Sequence, residues 1–190
     1  YFPPFLDIPY LWMAQHLPPA ATAFVMGAWQ GLSFILIAAI AWGVLEGNER
    51  RATLAPLFGV AGMLSATFLS ELGNTMGDAA TAPLVLAALW VTLRRTDGYL
   101  PILRLAAGGL CIGLAVGLKL TNAIYAAAMA LAVLATGTGR GRRFAECAVV
   151  SLAAMAAFLA LTGSWFHDMW TTFGNPLLPQ FNDWFESPLA

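Results

Sequence analysis

The side chains best suited to chemistry in this chain are few. Asp78 closes the stretch Glu71-Leu-Gly-Asn-Thr-Met-Gly-Asp78, immediately before an apolar run opening with Ala79-Ala80. Gly73, Asn74 and Gly77 favour an open backbone there. A carboxylate in that setting can accept a proton or meet a divalent cation of the Mg or Mn type, whose hard character selects carboxylate oxygens. Glu71 offers a second carboxylate to the same cation. The position equally suits a helix start, where Asp satisfies orphan N–H groups and complements the helix dipole. The two roles are compatible.

Lys119 sits in Gly117-Leu-Lys-Leu-Thr-Asn122, between two apolar runs. An ionisable group in or near a membrane is costly and is usually partnered. One reading is a lysine snorkelling to lipid headgroups. The sharper one is a cation holding the phosphate or pyrophosphate of a lipid carrier, with Thr121 and Asn122 adding hydrogen bonds or capping the next helix. His16 and His167 have no metal-ligand spacing to another His or Cys, and interfacial hydrogen bonding accounts for them. His167-Asp168 is a weaker acid–base candidate. There is no phosphate-binding glycine loop, nucleophile elbow or zinc motif.

These residues must be positioned by elements of unusual composition. Hydrophobic residues make up 59% of the 190 and charged residues only 10%, against about 25% charged in a globular domain; mean hydropathy is +0.73. Six apolar runs stand at about 20–45, 53–70, 79–93, 102–118, 122–136 and 144–162. A crossing takes roughly 20 residues and tolerates about 17, so the third and fifth are short. The reading is an all-α, polytopic membrane bundle of about six transmembrane helices, one domain cut at both ends from a larger protein. Residues 1–19 form an interfacial segment, 20–162 the spans, and 163–190 an aromatic segment. Proline at Pro3-Pro4, Pro9 and Pro18-Pro19 prevents a regular spanning helix at the start, leaving a short amphipathic helix after Pro9. Gly109, Gly113 and Gly117 recur every four residues and predict a close helix–helix contact on the fourth span. Cys111 and Cys147, both in apolar runs, predict packing and neither a disulfide nor a metal site.

Charge gives orientation. Arg50-Arg51, Arg94-Arg95, Arg104, Arg140 and Arg142-Arg143 supply eight of the nine basic residues. Basic residues collect in cytoplasmic loops, which places 46–52, 94–101 and 137–143 inside. Segments 1–19, 71–78, 119–121 and 163–190 then face outward, carrying Asp7, Glu71, Asp78, Asp168, Asp183 and Glu186 with one base, Lys119. The net charge of −1 gives no sign of nucleic-acid binding; membrane lipids are the expected surroundings.

The order of features resembles a known group. An outward Pro-Pro-Phe-Leu-Asp-Ile-Pro-Tyr segment is followed by an Ala-rich span and an Arg pair. A Gly-Asp mouth comes next, then Gly-Leu-Ala-Val-Gly-Leu-Lys-Leu-Thr, and an outward Gly-Asn-Pro-Leu-Leu-Pro from Gly174 to Pro179. This resembles the multi-spanning glycosyltransferases of the C-type fold, including bacterial dolichyl-phosphate-mannose-type and aminoarabinose-type transferases, and bacterial membrane proteins grouped near them. The resemblance implies transfer of a sugar from a polyprenyl-phosphate donor to an acceptor on the outer face of the bacterial cytoplasmic (inner) membrane. It also implies acidic residues in the first two outward loops, often with a divalent cation near both. Asp78 matches the second acid, as the catalytic carboxylate. Lys119 resembles the lysine after the Gly-Leu-Ala run, although Gly-Pro commonly follows there and Leu-Thr-Asn follows here. The first acid is expected upstream of Pro3-Pro4, and Asp7 is not its substitute.

Two other classes compete with an enzyme. A transporter or flippase for a lipid-linked substrate predicts polar residues at mid-membrane and broken helices in paired positions. A non-catalytic membrane scaffold predicts no need for Asp78 or Lys119.

Overall fold

The computed structural model describes residues 4–73, 77–93, 100–136 and 139–187, and these are all-helical, with no strand among them. A 3-10 turn at Pro4–Leu6 leads into α1 (Asp7–His16) and α2 (Pro19–Val44). Then come α3 (Arg51–Met63), α4 (Ala66–Glu71), α5 (Gly77–Leu93) and α6 (Leu100–Leu118). A second 3-10 turn, Leu120–Asn122, precedes α7 (Ala123–Thr136), α8 (Arg140–Phe173) and the short α9 (Asn182–Phe185). Asn74, Arg94-Arg95 and Asp97 lie outside the described residues.

Among the described residues three helices are long and apolar enough to cross a membrane, over Pro19–Val44, Pro101–Leu118 and Gly141–Phe173. The stretches Gly77–Leu93 and Leu120–Thr136 are apolar but shorter, as the third and fifth runs predict. The second run, 53–70, is not one helix. It breaks after α3, and α4 restarts with Ser65 as N-cap, its Oγ accepting from Phe68 N–H at 3.1 Å. Such a cap satisfies one of the orphan donors of a helix start, so the chain bends there at little cost. The first segment also departs from the sequence reading. α1 begins at Asp7, before Pro9, which sits in the first turn where its missing N–H has no intrahelical partner to lose. Ile8, Leu11 and Trp12 are exposed on it, as suits a helix lying at an interface.

The chain runs back and forth between two ends. Arg51 Nε donates to Trp42 O at 2.5 Å and its guanidinium lies 4.3 Å over the Trp42 ring, tying the start of α3 to the end of α2. Arg104 near the start of α6 donates to Val91 O at 3.0 and 3.1 Å and to Thr92 O at 3.4 Å. It thereby neutralises the carbonyl-rich, negative end of α5. These arginines share one end of the bundle with Arg142, which pairs with Glu146 at 2.7 Å.

α6 is the centre of the packing, with α5 on one side and α8 on another. The glycine repeat makes the α6–α8 contact, as its spacing predicts. A Cβ at Gly109 would come within 2.5 Å of Val150 O, one at Gly113 would overlap the Ala154 backbone, and one at Gly117 would meet Leu161 Cδ2 at 2.9 Å. Lipid tails are as apolar as Leu, so helices associate in them by close van der Waals packing, and small residues permit that approach. Ile112, Ala115, Val150, Ala88 and Met129 are buried around this seam.

α8 has 34 residues, roughly 51 Å at the α-helical rise, and outruns the apolar stretch 144–162. Its last turns carry Trp165, His167, Asp168 and Trp170, so the aromatic segment begins as a projecting helix end. The helix stops at Gly174 in the left-handed conformation (φ 67°), whose N–H donates to Trp170 O at 2.8 Å. Glycine takes that conformation without a Cβ penalty.

Candidate functional site

The start of α5 and the end of α6 meet at the end of the bundle opposite Arg51 and Arg104. Asp78 lies in the first turn of α5, where the helix dipole favours a negative charge. Its Oδ1 is 2.6 Å from Lys119 Nζ. The Asp78 side chain is 66% exposed and that of Lys119 28% exposed. The pair therefore sits at an open mouth, with the lysine stem covered and the carboxylate accessible.

Lys119 reaches Asp78 because Gly77 has no side chain. A Cβ there would come within 3.1 Å of Lys119 Cδ and 2.9 Å of Leu6 Cδ2. The stem thus lies across the first residue of α5 beside the Pro4–Leu6 turn. Lys119 itself is extended (φ −148°, ψ 109°) between α6 and the Leu120–Asn122 turn. That break in the helix frees the side chain from the α6 surface.

Asn122 fixes the break. It is 4% exposed, and its Nδ2 donates to Thr81 Oγ1 at 3.0 Å and to Ala115 O at 2.9 Å. Thr81 Oγ1 in turn donates to Gly77 O at 2.8 Å. This chain of bonds links the turn after α6 to the first turn of α5, the two places that carry Lys119 and Asp78. Asn122 is therefore committed to the scaffold under the pair, while Thr121 beside it is exposed.

Capping of α5 does not fall to Asp78. Ala79 N–H donates to Glu71 Oε2 at 3.1 Å, and Glu71 is 8% exposed. The carboxylate capping this helix thus comes from the end of α4. Gly73 N–H donates to Gln30 Oε1 at 2.6 Å, and Trp29 Nε1 donates to Ala80 O at 2.7 Å. α2 thereby anchors both sides of the loop before α5, with Gln30 fully buried. Sequence reasoning passed over Gln30 and Trp29; a glutamine inside an apolar run was the available signal.

Around the pair, the longer helices stand proud. Gly117 packs on Leu161 and Thr162, so α8 continues past the level of Lys119 by roughly 14 Å. Trp29 stands beside Ala80, so α2 begins roughly 10 Å beyond Gly77. The site is recessed between these ends. His167 and Asp168 are on the projecting part of α8, both exposed; neighbours in sequence, they do not face each other on a helix. His16 Nδ1 lies 2.7 Å from Trp12 O and its ring stacks on Trp12 at 4.8 Å, an interfacial arrangement.

The described residues do not by themselves compose a divalent-cation site. Asp78 carries an ammonium at 2.6 Å, which occupies the position a metal would take on that oxygen, and Glu71 is turned to Ala79. Among the described residues no group of three His, Cys, Asp or Glu side chains is placed to hold a metal. What the arrangement offers is a fixed ammonium. Lysine has three N–H donors, so those not used on Asp78 remain for an anion.

Comparison with curated proteins and with solved structures gives no match. The family model described as glycosyltransferase family 87 matches residues 1–188. With three long apolar helices and this family match along almost its whole length, the chain is a membrane protein and belongs to glycosyltransferase family 87.

Proposed function

We propose that the protein is a membrane glycosyltransferase of the C-type fold that moves a sugar from a polyprenyl-phosphate donor to an acceptor. The reaction takes place on the outer face of the bacterial cytoplasmic membrane. The observation carrying this reading is the Asp78–Lys119 pair. A lysine is held at one end of a bundle, whereas the described residues Arg51, Arg104 and Arg142 lie at the opposite end. The positive-inside rule puts that arginine end in the cytoplasm and the pair outside, at the depth of a lipid carrier's headgroup. Counting the shorter helices α5 and α7 and the broken α3–α4 unit with the three long ones gives six passages between the two ends.

In the reaction the acceptor hydroxyl oxygen attacks the anomeric carbon. The bond from that carbon to the phosphate oxygen breaks, its electron pair leaves with the polyprenyl phosphate, and the hydroxyl proton passes to a base. Lys119 binds the phosphate and stabilises the negative charge growing on its oxygen, the kind of preorganised electrostatic help that lowers such barriers. Asp78 holds the ammonium in place and keeps an exposed carboxylate for a sugar hydroxyl. Asn122 and Thr81 position the pair. The transporter reading is not favoured: the break between α3 and α4 has no counterpart among the described residues, and the start of α4 is capped by Ser65.

The test is sugar transfer by the intact protein in vesicles, from a radiolabelled polyprenyl-phosphate sugar. Asp78→Asn and Lys119→Met should each lower transfer by more than about tenfold, or about 1.4 kcal/mol of barrier. Near-parental transfer by both variants would end the assignment.

A further inference from the structure

The Asp78–Lys119 pair serves the leaving phosphate and leaves open where the acceptor's proton goes. In a direct displacement the incoming oxygen approaches the sugar from the side opposite the leaving oxygen, so the base stands across the sugar from the phosphate ligand. A carboxylate in that place must also be unengaged. Asp78 spends Oδ1 on Lys119 at 2.6 Å, and a proton taken there would loosen the ion pair that holds the ammonium. Glu71 is 8% exposed and accepts from Ala79 N–H.

The α6–α8 register supplies another carboxylate. Gly113 packs on Ala154 and Gly117 on Leu161. Ala154 and Leu161 are seven residues apart, close to two helical turns, so they stand on one side of α8. The next step of seven on that side is Asp168. α6 ends at Leu118, so no α6 residue stands against Asp168. It projects over the end of α6 and over Lys119, roughly 10 Å beyond Leu161. Cα–Cβ bonds of a helix tilt toward its N-terminus, which for α8 is the arginine end, so the Asp168 side chain leans back over the recess. It is exposed, and its carboxylate has no hydrogen bond or ion pair among the described residues. His167 lies roughly 100° around the helix, off that line.

We infer, on the reading of Lys119 as the phosphate ligand, that Asp168 is the catalytic base for the acceptor hydroxyl. The donor sugar lies in the recess between them, its phosphate on Lys119 at the membrane side and the acceptor hydroxyl against Asp168 at the outer side. As the acceptor oxygen bonds to the anomeric carbon, the bond from that carbon to the phosphate oxygen breaks and its electron pair leaves with the phosphate. The hydroxyl proton passes to an Asp168 oxygen, which afterwards releases it to water. The negative charge gained by the phosphate is the charge lost by Asp168. Asp78 takes no proton and keeps its hold on Lys119.

The experiment measures transfer from a radiolabelled polyprenyl-phosphate sugar by the intact protein in vesicles of its own native membrane, which hold the acceptor. Asp168→Asn and Asp168→Ala should each lower kcat by more than about hundredfold, within the range of general-base contributions. Donor KM and polyprenyl-phosphate affinity should stay at parental values. Sodium formate, a carboxylate small enough for the space left by alanine, should restore part of the transfer in Asp168→Ala and none in Asp78→Asn. Near-parental transfer by Asp168→Asn would overturn the inference. So would a loss in Asp168→Ala that formate does not relieve, which would make Asp168 a contact for the acceptor and not its base. Lys119→Met separates the two readings. If it loses carrier binding while Asp168→Asn transfers normally, the phosphate role stands and the base assignment fails. Parental binding and transfer in Lys119→Met would remove the phosphate role, and the placement of Asp168 with it.

Discussion

Asp78 and Lys119 stand 41 residues apart in sequence, yet Asp78 Oδ1 and Lys119 Nζ are 2.6 Å apart. The contact closes the mouth-side ends of α5 and α6 onto each other. Exposed ion pairs contribute only about 0–1 kcal/mol to stability, so the fold has little to lose from either residue. Function has more.

That difference gives the first expectation. Asp78→Asn should leave thermal stability in detergent within about 1 kcal/mol of the parent, because Glu71 and not Asp78 caps α5. Sugar transfer should nevertheless fall by more than about tenfold. A parallel loss of melting temperature would mean that Asp78 is structural after all.

Glu71 should behave in the opposite way. Glu71→Gln keeps an oxygen for Ala79 N–H and should be nearly silent in a thermal melt. Glu71→Ala should cost about 0.5–2 kcal/mol, the usual loss for a removed cap. Equal, large losses of transfer in both variants at unchanged stability would instead make the carboxylate charge itself functional.

Asn122→Ala removes two buried hydrogen bonds, although the Ala115 carbonyl keeps the Lys119 N–H. Destabilisation of about 1–3 kcal/mol is expected, with weaker polyprenyl-phosphate binding as the turn carrying Lys119 loosens. Unchanged binding and unchanged stability would show that the bonds to Thr81 and Ala115 do not position Lys119.

At the α6–α8 seam, Gly113→Ala must push apart two backbones. A loss of about 1–3 kcal/mol follows, the range for overpacking. Gly27→Ala in α2 is the control, since a Cβ there meets nothing within 4 Å and helix propensity alone favours Ala. Equal melting temperatures for the two variants would contradict the packing described.

How much of this was legible in the sequence depends on the distance over which each feature acts. The Gly109-Gly113-Gly117 face was legible, because one helix turn per step puts the three on one side whatever their partner. The shortness of the third and fifth runs was legible for the same local reason. The break at Ser65 was hidden by continuous hydropathy on both sides of a residue that also caps helices. Asp78 suits a cap on α5 as well as a chemical role from its position alone, since nothing local shows that Glu71, eight residues earlier, folds back onto Ala79. Asp78 and Lys119 were each singled out, but only tertiary packing brings them together. Asn122 looked like a ligand for phosphate because its burial depends on Thr81, 41 residues away.

Orientation can be checked with single cysteines in a background of Cys111→Ser and Cys147→Ser. Thr172 is exposed on the projecting end of α8, whereas the nearby Asn175 is fully buried and holds its turn through Gln180 O and Asn182 Oδ1. Thr172→Cys should therefore react with an impermeant maleimide from outside intact cells, and Gly141→Cys only after permeabilisation. The reverse pattern would place Asp78 and Lys119 in the cytoplasm.

The most direct measurement of the central claim is binding of polyprenyl phosphate to the intact protein carrying Lys119→Met, with Lys119→Arg beside it. Met roughly preserves the length of the stem and removes the charge, while Arg keeps the charge. Affinity should drop by more than about tenfold in the Met variant, about 1.4 kcal/mol, and be largely retained in the Arg variant. Parental affinity in Lys119→Met would show that the ammonium beside Asp78 does not hold the carrier's phosphate.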